Sequence, residues 1–371
     1  MGSVVEQRSH PVPRRLFGQA NGGRPMFRHR RHSVASQNIR IGIGILVLLL
    51  LTSCTAGSGG DSNEGDDRPA GEGRQGQLQP LPLTPLDVDF VDPDTGFVLD
   101  EDGRLARTED GGTSWHVIHE FDEPITRIDF VSASVGWAMA RDGIWSTTDS
   151  GASWTKVHTP FSPGFVDLVD EGVAWATDDR FRLYLTTDGG NRWEPKTNPC
   201  LSVENPAAWA ASFISSNDGW FICGSDEGMG GETKVLRRTA DAAGTWEETA
   251  AVQRDGEEVP GGLPAGGYVG DLFFLDPKTG WFGTTRYGEV WHTQDGGKSW
   301  QKVSQGPSGV RAFTGLDFVT PELGWSLLFV QGDDGWRLAR TRDGGANWEI
   351  IDVVVPGPAG TSPSSAETTG P

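Results

Sequence analysis

Apolar residues recur along the middle of this chain in short bursts rather than in helical stripes. In residues 85–120 they fall into four segments, Asp87 to Val91, Phe97 to Leu99, Leu105 to Thr108 and Trp115 to Ile118, separated by turns rich in Gly, Asp and Ser. Bursts of this length bounded by turn residues predict four short strands. The grouping then repeats. Thr108 to Trp115, read Thr-Glu-Asp-Gly-Gly-Thr-Ser-Trp, returns as Thr147 to Trp154, Thr186 to Trp193, Thr239 to Trp246, Thr293 to Trp300 and Thr341 to Trp348, always with an Asp five residues before the Trp. The fourth copy is degenerate, with its Gly displaced to Gly244.

A second marker precedes most copies: Gly96-Phe97, Gly136-Trp137, Gly219-Trp220, Gly280-Trp281 and Gly324-Trp325, each with a Phe seven residues before the aromatic. The third repeat has Leu168 in place of that Phe and reads Gly172-Val173-Ala174-Trp175. Four short strands in a repeat of 39 to 54 residues make one propeller blade. The expected fold is therefore all-β, a six-bladed β-propeller of four-stranded antiparallel blades over residues 85–355. A seven-bladed ring is the alternative, but the sequence holds no seventh box to build it. In each box Gly supplies a positive φ for a tight turn, and the Asp carboxylate can accept backbone N–H bonds. One Asp per blade spreads these groups around a ring. Asp110, Asp149, Asp188, Asp241, Asp295 and Asp343, with Trp115, Trp154, Trp193, Trp246, Trp300 and Trp348, are accordingly expected to be structural rather than catalytic.

These residues resemble the BNR or Asp-box repeat, Ser/Thr-x-Asp-x-Gly-x-x-Trp. The pairing of Gly-Trp with Asp-Gly-Gly-x-Ser-Trp is most similar to the photosystem II stability/assembly factor-like repeat family. That resemblance implies a scaffold that holds a partner protein during assembly at a membrane. The photosynthetic members look seven-bladed and this chain carries six boxes, so the photosynthetic role itself is not transferred. Asp-box propellers also include sialidases, which makes a glycoside hydrolase or glycan-binding propeller the alternative. The Phe/Tyr-Arg-Ile-Pro string of sialidases is absent, and the chain has only three Tyr from which to draw a nucleophile.

The N-terminus sets the expected compartment. Ile41 to Leu51 is an unbroken run of Ile, Gly, Leu and Val preceded by Arg28, Arg30, Arg31 and Arg40. It reads as a signal peptide, too short to span a bilayer as a helix. The run ends in Leu51-Thr52-Ser53-Cys54, which resembles a bacterial lipobox and implies lipidation of Cys54 after cleavage. Residues 1–53 are thus expected to be a signal peptide with an over-long N-terminal region, in which Met26 is an alternative start. Residues 54–84 would be a lipid-anchored disordered tether, and residues 356–371 a disordered tail. The expected location is the outer face of a bacterial cytoplasmic membrane.

Cleavage would remove eight Arg and one Glu from 31 basic and 51 acidic side chains, leaving 23 and 50. So acidic a chain is a poor partner for nucleic acid. Cys200 and Cys223 remain as an even pair, a candidate disulfide in an oxidising compartment. Neither zinc-ligand spacing nor a phosphate or dinucleotide loop is present, and no cofactor is expected.

Length variation sorts by end of the ring. With strands lettered A to D from the axis outward, the AB turns are short and the CD turns are the Asp boxes. The long insertions, 195–209, 224–233, 248–268, 304–311 and 330–336, all belong to BC and DA connections. Long loops on a rigid scaffold commonly carry binding. The candidate binding face is built from Trp209, Asp226, Glu227, Tyr268, Asp333, Asp334 and Trp336, and its expected occupant is a protein or a glycan. Further acids lie there, among them Asp100, Asp102, Asp142, Asp178 and Asp179, interspersed with Arg104, Arg141, Arg180, Arg286 and Arg337.

Overall fold

The computed structural model describes residues 79–203, 206–226, 232–252, 262–304, 306–333 and 335–357. Its strands form four separate four-stranded antiparallel sheets, one eight-stranded sheet made of two such meanders and a two-stranded sheet joining the ends of the folded part. Sheet 1 runs Pro85–Phe90, Gly96–Asp100, Arg104–Thr108 and His116–Glu120, within two residues of the sequence expectation at each boundary. Its first strand pairs with the second, the second with the third and the third with the fourth. The inner strands of the following five meanders are Ile125–Phe130, Pro163–Leu168, Pro206–Phe213, Tyr268–Phe274 and Val310–Phe318. We number these sheets 2 to 6.

Two interactions join each sheet to the next and explain the sequence markers. The first is aromatic. Phe97 of sheet 1 stacks on Phe130 of sheet 2 at 3.6 Å, Trp175 on Phe213 at 4.3 Å, Trp220 on Phe274 at 3.8 Å and Trp281 on Phe318 at 3.7 Å. Trp325 of sheet 6 then stacks on Phe90 of sheet 1 at 3.6 Å, returning to the start. The junction of sheets 2 and 3 lacks such a stack because Leu168 replaces the Phe. The Gly before each aromatic gives its own sheet's Phe room: a Cβ at Gly280 would lie 2.6 Å from the ring of Phe274.

The second interaction is polar. Side chains of inner strands accept backbone N–H bonds from the inner strand of the next sheet. Asp87 accepts from Ile128 (2.8 Å), Asp129 from Leu168 (2.7 Å), Asp167 from Phe213 (2.8 Å), Ser212 from Phe274 (2.9 Å) and Asp271 from Leu316 (2.7 Å). Asp89 accepts from Phe130, and Asp317 of sheet 6 accepts from Phe90 of sheet 1. An otherwise unpaired inner edge is thereby satisfied all the way round.

The folded part begins earlier than the sequence suggested. Pro80–Pro82, assigned above to the tether, pairs antiparallel with Val354–Pro356, and Leu83 N–H donates to Val353 O at 2.8 Å. Leu83, Val353 and Val355 are buried in the core shared by sheets 1 and 6. The tether and tail readings therefore lose residues 80–84 and Pro356 to the fold; Pro-rich segments can pair here because each strand has only one partner. The signal segment, Cys54 and most of both expected disordered stretches lie outside the described residues.

Candidate binding face

The Asp boxes occupy the turns at one end of the strands. In the first, Asp110 Oδ1 accepts from Thr108 Oγ1 (2.8 Å) and Ser114 N–H (2.8 Å), and Oδ2 from Ser114 Oγ (2.6 Å). Those bonds, the Ser114 hydroxyl foremost, lower the Asp110 pKa to about 2. Asp149, Asp188, Asp241, Asp295 and Asp343 each accept the equivalent Thr hydroxyl and the N–H four residues on. Trp115, Trp154, Trp300 and Trp348 donate Nε1–H to a carbonyl of their own box, and Trp246 donates to Thr197 O. The Trp193 indole N–H is buried without a partner. Every box carboxylate is engaged within its own turn, which leaves none facing a shared centre.

The opposite end carries the BC and DA connections. Its acids divide into two groups. Asp100 and Asp178 are only 1% exposed and hold turns: each accepts the N–H two and four residues on and bonds the Arg at the fourth position, Arg104 at 2.6 Å and Arg182 at 2.6 Å. Others form pairs nearer the surface, Asp102 with Arg104 (2.7 Å), Asp142 with Lys156 (3.8 Å) and Asp333 with Arg337 (3.3 Å). Arg141, Arg180 and Arg286 are exposed, and among the described residues none of them has an ion pair. Part of the negative charge on the described face is thus paired locally, while Glu101 and Asp179 and the guanidinium groups of Arg141, Arg180 and Arg286 have no ion pair among the described residues. Glu227 and Asp334 lie outside the described residues, and Asp226 is placed only as the last residue of the strand Gly219–Asp226.

The structure does not bring the aromatic candidates into one patch. Trp209 stacks on Phe221 (5.3 Å) and meets Phe165 (5.2 Å) and Phe181 (5.8 Å) edge-on between sheets 3 and 4. Trp336 is half-buried against the core of sheets 1 and 6 and meets the exposed Phe329 at 5.6 Å. Tyr268 opens the inner strand of sheet 5, opposite Thr285, while its exposed neighbour on that end is Tyr287, beneath the Arg286 guanidinium at 5.5 Å. Phe181, Phe329 and Tyr287 were missed in the sequence because they look like ordinary strand-end residues. The one signal was position: Phe181 and Tyr287 lie in BC connections and Phe329 at the end of the strand Gly324–Val330.

Cys200 and Cys223 are bonded, their Cα atoms 5.7 Å apart, tying the short turn Pro199–Ser202 to the second strand of sheet 4. Among the described residues no group of three or more His, Cys, Asp or Glu is placed to hold a metal ion.

The sequence profile described as Photosynthesis system II assembly factor YCF48 matches residues 74–228. The chain carries BNR-type repeats similar to those of the photosystem II assembly factors. It is 28% identical over 156 residues to the Photosystem II assembly lipoprotein Ycf48 of Synechococcus sp. (strain CC9902), a match covering 39% of this chain and 44% of that protein. It is 24% identical over 314 residues to the chloroplastic photosystem II stability/assembly factor HCF136 of Arabidopsis thaliana, covering 69% of this chain and 76% of that one. This BNR chain therefore spans under half of the first relative and about three quarters of the second. Among solved structures, YCF48 bound to D1 peptide superposes with a TM-score of 0.46 at 18% identity, covering 75% of this chain and 85% of that one. The GH74 xyloglucanase from Xanthomonas campestris gives 0.48 at 12%, covering 74% and 56%.

Proposed function

We propose that this chain is an exported, lipid-anchored, six-bladed propeller that acts as a protein-binding assembly scaffold through the face bearing the BC and DA connections. The observation that carries the reading is the contrast between the two ends. Box carboxylates at one end are engaged in their own turns, whereas the other end presents Phe329 at a strand end and, in the connections between strands, Tyr287 and three arginines that have no ion pair among the described residues. Exposed aromatics and Arg are the residue types that dominate protein–protein recognition. The names of the relatives, assembly factors and assembly lipoproteins, support the same class of activity. The six blades rest on the cyclic chain of stacks and carboxylate bonds that returns from sheet 6 to sheet 1. The anchor rests on the lipobox ending in Cys54, with the domain facing outward from the cytoplasmic membrane.

A glycoside hydrolase requires two carboxyl groups flanking an open substrate cleft. On this face the most deeply placed acids, Asp100 and Asp178, are turned into the protein by their turn bonds, so the binding reading is preferred. The test is proximity crosslinking in native membranes with the full-length protein and a Tyr287→Ser, Phe329→Ser double variant. A reproducible protein partner that the variant loses supports the scaffold. An unchanged partner set removes this face from the reading. A Cys54→Ala variant that stays with the membrane as firmly as the parent would overturn the anchor.

A further inference from the structure

A cavity of about 240 Å³ opens between sheets 3 and 4 at the end away from the Asp boxes. Phe181, Trp209, Phe221, Val203 and the Cys200 side of the disulfide line it, and Arg180 stands at its edge. The volume falls below the roughly 300–1,000 Å³ of sites that enclose a small molecule, and it suits a single side chain. Three aromatic rings make the lining mostly apolar, so a bulky apolar group would bury its surface there without leaving polar atoms unpaired.

Two further observations mark the cavity as more than a packing fault. Phe181 has φ 63°, the left-handed region that a bulky residue rarely adopts. It is held there by its N–H donating to Asp178 O (3.0 Å) and by Asn198 Nδ2 donating to its carbonyl (2.6 Å). Backbone strain of this kind persists where the surroundings over-determine it, and it clusters at ligand sites. The neighbouring arginines also differ. Arg182 is bound to buried Asp178, whereas Arg180 lines the cavity with an exposed side chain and, among the described residues, no ion pair.

We propose that this cavity is an anchor site for one bulky apolar side chain of a partner polypeptide, in a segment where an Asp or Glu adjoins that side chain and meets Arg180. The proposal rests on the scaffold reading and names where on the face the grip lies. Aromatic walls supply the burial, and the single free cation at the rim selects an acidic neighbour over a basic one.

The first test uses full-length protein labelled with 5-fluorotryptophan, with the Trp209 fluorine resonance assigned through Trp209→Phe. The probes are N-acetyl-Phe-Asp-amide and N-acetyl-Phe-Lys-amide. A saturable Trp209 shift with the Asp probe is expected, binding about fivefold tighter than the Lys probe, a preference that Arg180→Glu reverses. Phe181→Gly, which relieves the strain and removes one wall, should abolish the shift while leaving the other Trp resonances in place. Absence of a saturable shift, or equal affinity for both probes with Arg180 intact, overturns the site. Crosslinking in membranes separates the two readings. If a partner is captured equally by the parent and by Arg180→Glu, Phe181→Gly, the scaffold stands and the anchor falls; if no partner is captured, the scaffold falls and the probe result alone decides the cavity.

Discussion

Gly280 shows why single residues in the repeat are not interchangeable. The nearest ring, Phe274, cannot yield to a Cβ 2.6 Å away, because it is stacked on Trp220 and edge-on to Trp300. Gly280→Ala should therefore cost about 1–3 kcal/mol as an overpacking substitution, read as a lower urea midpoint at unchanged slope. The degenerate fourth box offers the opposite change. Ala242 and Ala243 hold φ of 57° and 59°, where the other boxes place Gly at most of these positions. Ala243 is buried, but Ala242 is not, so Ala242→Gly should stabilise the protein by roughly 0.5–1 kcal/mol. No gain in the unfolding midpoint would show that this box is unstrained. The Phe, Gly and Trp markers were legible because repetition displays them. Their purpose was not legible, since the partner of each Phe belongs to the next repeat. Asp89, Asp129, Asp167 and Asp317 were overlooked altogether: each is one polar residue in a short alternating strand, and only the register between sheets reveals its bond.

At the scale of elements, strands and turns were readable to within a residue or two, because Asp boxes and Gly-aromatic pairs bracket them. The pairing of Pro80–Pro82 with Val354–Pro356 was not readable, because both segments look like linker by composition and their partners are some 270 positions apart in the chain. It seals the junction of sheets 1 and 6. Ending the chain at Val353 should lower stability by about 2–3 kcal/mol, since Val355 leaves the core and Leu81 and Leu83 lose cover. Thermal unfolding of the truncated chain checks this, and an unchanged midpoint would make the pairing ornamental. The candidate binding face was drawn from the long insertions, with Trp209 and Trp336 as aromatics that the repeat did not explain. Both turn out to be walls rather than free anchors, a distinction set by neighbours from other connections, Phe181 and Phe329.

The inner strands carry six acids, Asp87, Asp89, Asp129, Asp167, Asp271 and Asp317, and all but Asp317 feel the charge of one guanidinium, that of Arg127. Burial opposes the charge on Arg127, but Asp87, Asp129, Asp271 and Asp167, on four different inner strands, outweigh it and raise its pKa. For the carboxylates burial prevails over the cation and the backbone N–H bonds. Asp87 and Asp167 are pushed up to about 6 and Asp317 to about 8, and burial raises Asp89 and Asp129 well above the ordinary value, with the charge of Asp317 adding to it at Asp89 and that of Asp167 at Asp129. Asp317 is buried and the other five are half-buried by surface area, yet protein surrounds them all, so desolvation penalises their charge. The unfolded chain releases the same protons near the ordinary value of 3.8. Between that pH and about 8 the folded state holds protons that the unfolded state has lost, so stability must fall as pH rises through this window. The box acids work in the other direction: with Asp110 and Asp149 lowered to about 2, their contribution is present above 3.8 and fades only in stronger acid. Maximum stability should accordingly lie on the acid side of neutrality, with a higher Tm at pH 5 than at pH 8 at constant ionic strength. Arg127→Gln should lower the Tm by removing the charge that offsets the carboxylates, and more at pH 8 than at pH 5, where more of them are already neutral. A parent Tm that stays level or climbs from pH 5 to pH 8 would mean that the ring carries its charges without penalty, and that the inner carboxylates join the blades as fully ionised acceptors.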